Sequence, residues 1–113
     1  MAASSAPATG VTVCVTGAAG FVGSHVVAQL LAHARVARVV ATVSSLARSR
    51  FAHLRALPGA SPARLAVVEA DLSAPDRGAA AFAAAFRDCD AVVHVASPYD
   101  LSLKTEAATL WPR

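Results

Sequence analysis

Apolar positions along the chain fall into short runs whose period alternates. Val11-Thr12-Val13-Cys14-Val15 is a β-branched, nearly continuous apolar run ending at Thr16-Gly17, the pattern of a strand covered on both faces. From Phe21 onward Gly23, Val26, Val27, Leu30, Leu31 and Ala34 recur at helical spacing, which predicts a helix to about His33 with one face on a sheet. A second apolar strand spans 36–43 and breaks at Ser44-Ser45. The spacing then predicts a helix over about 46–57, stopped by Pro58-Gly59. A third strand over 65–70 ends at Asp71-Leu72-Ser73. Ser73 is an N-cap candidate with Pro75 in the first turn of an alanine-rich helix to about Arg87. Residues 91–95 form a fourth strand that leads into Ala96-Ser97-Pro98.

Four strands alternating with three helices predict parallel strands joined by right-handed crossovers. The expected fold class is α/β, the N-terminal half of a doubly wound parallel sheet (βαβαβαβ) with strand order 3-2-1-4. Residues 11–100 form the folded unit, incomplete as a sheet, between a disordered tail over 1–10 and an irregular tail over 101–113.

Composition narrows the classes. At 113 residues with 56% hydrophobic, 15% charged and 5% aromatic content, the chain is one globular domain with an aliphatic core. The net charge of +3 comes from arginines scattered between Arg35 and Arg113, without a basic block or interleaved aromatics, so no nucleic-acid partner is expected. Cys14 and Cys89 lack CxxC spacing and read as small buried thiols in a reducing compartment, with no metal site. The opening MAASSAPATG has no basic segment followed by an apolar core. His25, His33, Arg35 and Arg38 interrupt the most apolar region, leaving nothing near the roughly 20 residues of a membrane span. A soluble, cytoplasmic protein with no membrane partner is the expectation.

The chemistry concentrates in Val15-Thr16-Gly17-Ala18-Ala19-Gly20-Phe21-Val22-Gly23-Ser24-His25. In a doubly wound sheet the turn after the first strand lies where strand order reverses, the position at which dinucleotides bind. Gly17 permits the tight turn, Gly20 lets a pyrophosphate approach the backbone, and Gly23 lets helix and strand pack closely. Orphan amides around Gly20, Phe21 and Val22 at the helix N-terminus would bind the phosphates. The spacing is GxxGxxG where the dinucleotide fingerprint is GxGxxG, and no Lys-Ser/Thr pair follows to make a nucleotide P-loop.

TGAAGFVGSH resembles the TGxxGxxG cofactor loop of the extended short-chain dehydrogenase/reductase family, which includes the NAD-dependent epimerases and dehydratases. The blocks Ala52-His53-Leu54-Arg55-Ala56-Leu57-Pro58-Gly59-Ala60, Val68-Glu69-Ala70-Asp71-Leu72 and Cys89-Asp90-Ala91-Val92-Val93-His94-Val95-Ala96-Ser97-Pro98 extend the likeness over about residues 11–100. They resemble the dihydroflavonol reductase and cinnamoyl-CoA reductase branch. The resemblance implies an NAD(P)-binding Rossmann-type domain in which Asp71 contacts the adenine with Leu72 beside it, while Ala96 and Ser97 run past the nicotinamide half. His94, inside an apolar strand, reads as a hydrogen-bonded core histidine.

Cofactor choice is set after the second strand, where an acid suits a ribose 2′-hydroxyl and an arginine a 2′-phosphate. Here Ser44 and Ser45 are followed by Arg48 and Arg50 with no acid nearby, which favours NADP (NADPH) over NAD. The resembling reductases usually carry an arginine where Ser44 stands, so this chain departs from their pattern. The family's proton donor, a tyrosine with a lysine four residues later, is also missing. Tyr99 and Lys104 are five apart and too early in the chain, so no catalytic residue is assigned. The expectation is the N-terminal, cofactor-binding piece of an oxidoreductase that reduces a small-molecule carbonyl to an alcohol, inactive alone. An NAD-dependent epimerase or dehydratase, or an inactive nucleotide-binding module, are the alternatives.

Overall fold

The computed structural model describes residues 10–96. The element order is β1 (Val11–Thr16), α1 (Phe21–Ala32), β2 (Val36–Val43), α2 (Ala52–Arg55), β3 (Leu65–Glu69), α3 (Pro75–Phe86) and β4 (Ala91–His94). All strand pairings are parallel, with Cys14 opposite both Val40 and Val92, and Ala41 opposite Val67. The sheet order is β3-β2-β1-β4, a Rossmann-type half-sheet with the predicted reversal at β1.

Period-2 alternation sorts the central strands into two faces. Val13, Val15, Val39 and Ala41 join Val27 and Leu31 of α1 and Leu54 of α2 in one buried cluster. Cys14, Thr16 and Thr42, also buried, point to the opposite face. Because the chain runs outward through β1, β2 and β3 and then returns past β1 to β4, the right-handed crossover rule puts α3 on that second face. Cys89 at its end donates from Sγ to the Ala85 carbonyl at 3.2 Å. β4 is exposed along most of its length, with Val92 at 42% exposure, since β1 is its sole partner among the described residues.

Three local expectations need correction. The helix expected over 46–57 shrinks to Ala52–Arg55. Ser45 Oγ accepts the Arg48 amide, Ser49 Oγ accepts the Ser45 amide, and Glu69 Oε1 accepts the Leu46 amide at 3.0 Å. With the Ser49 amide donating to the Ser45 carbonyl, the segment makes a single turn, tied to the end of β3 through Glu69. Ser73 does not cap α3: the N-cap is Ala74, and the Ser73 amide and hydroxyl both donate to Asp71 Oδ1. His94 is hydrogen-bonded as expected, at 2.8 Å from Thr16 Oγ1, yet it is exposed and not a core residue. Among those residues no helix is long and apolar enough to cross a membrane, and no cluster of metal-ligating side chains forms. Residues 1–9 of the tail expected over 1–10 and the whole of that expected over 101–113 lie outside the described residues, as do Ser97, Pro98, Tyr99 and Lys104.

Candidate functional site

The turn after β1 carries the geometry its glycines allow. Gly17 has φ +64°, the left-handed region that glycine enters at no steric cost. It packs so closely under Ala96 that a Cβ there would stand 2.9 Å from the Ala96 backbone. Gly20 is the N-cap of α1, in extended conformation with no side-chain cap and no acid in the first turn. A Cβ at Gly20 would meet only the Gly17 carbonyl at 3.7 Å, so its open side faces space and not protein. Gly23 is the reverse: a Cβ would run into the Gly17 carbonyl and stand 2.8 Å from Ala18 Cα. One glycine opens the turn to a ligand, and the other closes α1 onto β1.

Ser24 Oγ lies 2.5 Å from the Gly20 carbonyl, 3.2 Å from the Ala18 carbonyl and 2.9 Å from His53 Nε2. Its one proton serves the carbonyls, so His53 donates from Nε2 and ties α2 to the glycine turn. Across the crevice Thr16 Oγ1 accepts the Val95 and Ala96 amides at 2.9 and 3.1 Å. Its own proton therefore goes to His94 Nδ1, which places the imidazole proton on Nε2. This fully buried hydroxyl fixes the segment leaving β4 over the glycine turn.

These pieces wall one crevice of about 940 Å³ at the carboxyl ends of the strands. Gly17, Gly20, Phe21, Val22, Gly23, Ser44, Arg50, Asp71, Leu72 and Ala96 all line it. Arg48 does not; it lines a neighbouring cavity of about 320 Å³ with Ser44, Asp71 and Arg77. Arg48 and Arg50 thus face different cavities on either side of the turn after β2. Sequence reasoning missed the apolar wall residues Val43, Ala70 and Val95 and the hydroxyls Ser49 and Ser73. The ends of strands at a reversal point were the available signal.

Electrostatics grade the crevice from end to end. The amides of an uncapped helix give its glycine end positive character. At the far end the Ser73 amide and hydroxyl, at 3.0 and 2.8 Å, hold the Asp71 carboxyl below the usual carboxylate range, and the charges of Arg48 and Arg77 add to this. Both bonds use Oδ1, leaving acceptor capacity on Oδ2. Phe21 at 82% exposure and Val22 at 58% stand at the mouth, apolar surface that a bound planar ligand would cover.

Comparison with known proteins agrees with this geometry. Over 86 residues the chain is 48% identical to cinnamoyl-CoA reductase 1 of Oryza sativa subsp. japonica, covering 76% of this chain and 23% of that protein. It is 37% identical over 91 residues to vestitone reductase of Medicago sativa, covering 80% and 26%. The crystal structure of alfalfa vestitone reductase superposes with TM-score 0.62 at 40% identity, covering 78% of this chain and 26% of that one. The NADP-bound N-domain of a bacterial malonyl-CoA reductase superposes with TM-score 0.64 at 35% identity, covering 79% and 17%. The chain thus spans about a quarter or less of the proteins it matches. The model of the NAD dependent epimerase/dehydratase family matches residues 13–111, and the chain belongs to that family.

Proposed function

We infer that this chain is the NADPH-binding part of an oxidoreductase that reduces a carbonyl of a small molecule to an alcohol. The observation that carries the reading is the crevice over the glycine turn, with Gly20 open toward it and Arg50 on its wall. The α1 amides at Gly20, Phe21 and Val22 hold the pyrophosphate, Asp71 and Leu72 the adenine, Ser44 and Arg50 the 2′-phosphate, and Ala96 runs beside the nicotinamide. Ser97 and the candidate donors Tyr99 and Lys104 lie outside the described residues. NADPH, when bound, supplies the hydride; this chain's residues bind and orient it. The relatives support the reading, being named as reductases, and the malonyl-CoA reductase N-domain holds NADP.

The segment after β2, residues 44–50, carries arginines and no acid, and its Ser44, Ser49 and Arg50 line the crevice, which favours NADPH over an NAD-dependent epimerase or dehydratase. Calorimetric titration with NADPH and NADH tests this. NADPH should bind at least tenfold more tightly, and Arg50→Ala should remove about 1.5–3 kcal/mol of NADPH affinity while sparing NADH. Equal affinities, or equal losses for both, defeat the reading.

A further inference from the structure

We propose that Arg77, in the first turn of α3, is the cation that reads the 2′-phosphate from the side of the crevice that Ser44 leaves open. This rests on the NADPH reading and adds a specificity-determining residue to it. The main crevice and the cavity of about 320 Å³ share the wall formed by Ser44, Ala70 and Asp71. The wall is low: its three side chains are a hydroxymethyl group, a methyl group and a short carboxylate. An anion held above Ser44 therefore faces the second cavity, whose cations are Arg48 and Arg77.

Placement of Arg77 depends on its neighbour. A Cβ at Gly78 would run into the Asp71 carbonyl, while the Gly78 amide donates to the Ala74 carbonyl at 2.7 Å. Glycine thus lets the first turn of α3 seat against the Asp71 backbone just after β3, with Arg77 lining the cavity beside the crevice. The acids that line this cavity, Glu69 and Asp71, each have one oxygen engaged. Glu69 Oε1 accepts the Leu46 amide, and Asp71 Oδ1 accepts two bonds from Ser73. Asp71 is held ionised partly by the Arg77 charge, which places the guanidinium within electrostatic reach of the shared wall. A guanidinium has five donors in a planar fork and can face a carboxylate with one edge and a phosphate with another.

Adenosine 2′,5′-bisphosphate and adenosine 5′-monophosphate differ only in the 2′-phosphate, so their affinity ratio isolates this contact. Calorimetry on the whole chain should give about a tenfold or greater fall in bisphosphate affinity for Arg77→Gln, with 5′-monophosphate affinity within about twofold. Arg77→Lys keeps the charge and should lose only part of the ratio; it is the variant to read if Arg77→Gln loses its far-UV circular dichroism. A wild-type ratio well above one that neither variant changes overturns the role of Arg77 while leaving NADPH binding intact. A wild-type ratio near one, or no binding of either nucleotide, defeats the NADPH reading and this proposal with it.

Discussion

Arg64 Nη1 lies 2.9 Å from the Leu31 carbonyl in the last turn of α1, and Nη2 lies 2.8 Å from the Val36 carbonyl at the start of β2. One guanidinium from the loop before β3 thus closes the α1-to-β2 connection. The final carbonyls of a helix have no partner within it, and α1 has no basic residue in its own last turn.

Replacing Arg64 by alanine should therefore lower the unfolding free energy by about 1.5–3 kcal/mol, the usual cost of losing hydrogen bonds from a charged group. Arg64→Lys should recover only part, because an ammonium does not span two carbonyls as a planar fork does. Urea unfolding followed by far-UV circular dichroism is the measurement, and an unchanged midpoint for the alanine variant counts against the clamp.

The contact between Thr16 and His94 makes a second prediction. Thr16→Val keeps the shape but strips the acceptor from the Val95 and Ala96 amides, which should cost about 1–3 kcal/mol of stability. It should also weaken NADPH binding, because the segment lining the crevice beside Gly17 loses its anchor. Thr16→Ser, with the hydroxyl retained, should hold both within about 0.5 kcal/mol. Equal behaviour of the two variants would refute the assignment.

Local chemistry made most of this architecture readable in the chain. The β-branched runs located β1 and β2, and alternation of strands with helical spacing yielded the sheet order. What escaped were particular side-chain contacts, several of them between distant positions. Leu46 looks like a helix start until the Glu69 carboxylate, 23 residues on, takes its amide. Ser73 looks like a cap until Asp71 takes its hydroxyl. Arg77 and Gly78 sit in an alanine-rich helix whose pattern says only that it is helical, and their position beside Asp71 follows from packing. The glycine turn was the easiest part of the site to read because its function lies in backbone geometry, which local sequence controls.

Burial, with a smaller contribution from Cys89, pushes the Cys14 thiol up to about 12 from an ordinary value of 9.0. The folded state therefore disfavours the thiolate. Below pH 9 both states keep the proton and stability is unaffected; between pH 9 and 12 the unfolded chain loses it first, so stability falls as pH rises. Cys14→Ala should make that decline shallower in urea titrations across this window. At pH 8 Cys14 should resist alkylation until the chain is denatured, since the thiolate is the reactive species. Prompt labelling of native Cys14, located by peptide mass mapping, would show that the site opens.

The two glycines flanking the start of α1 should separate folding from binding. At Gly23 a Cβ has no room, with the Gly17 carbonyl and Ala18 Cα both inside contact distance. Gly23→Ala must push α1 away from β1, and overpacking of this kind costs about 1–3 kcal/mol. Cofactor affinity should fall with it, because the helix amides move with the helix. At Gly20 the added methyl meets only the Gly17 carbonyl at 3.7 Å, and φ is −75°, so Gly20→Ala strains nothing in the free protein and should change its stability by less than about 0.5 kcal/mol. The methyl instead enters the space that the NADPH reading gives to the pyrophosphate, and Gly20→Val fills more of it. NADPH affinity should fall stepwise from glycine to alanine to valine while the urea midpoint of the alanine variant holds. Undiminished binding by Gly20→Val would remove the pyrophosphate from this turn, and the amides of α1 would then need another ligand or none.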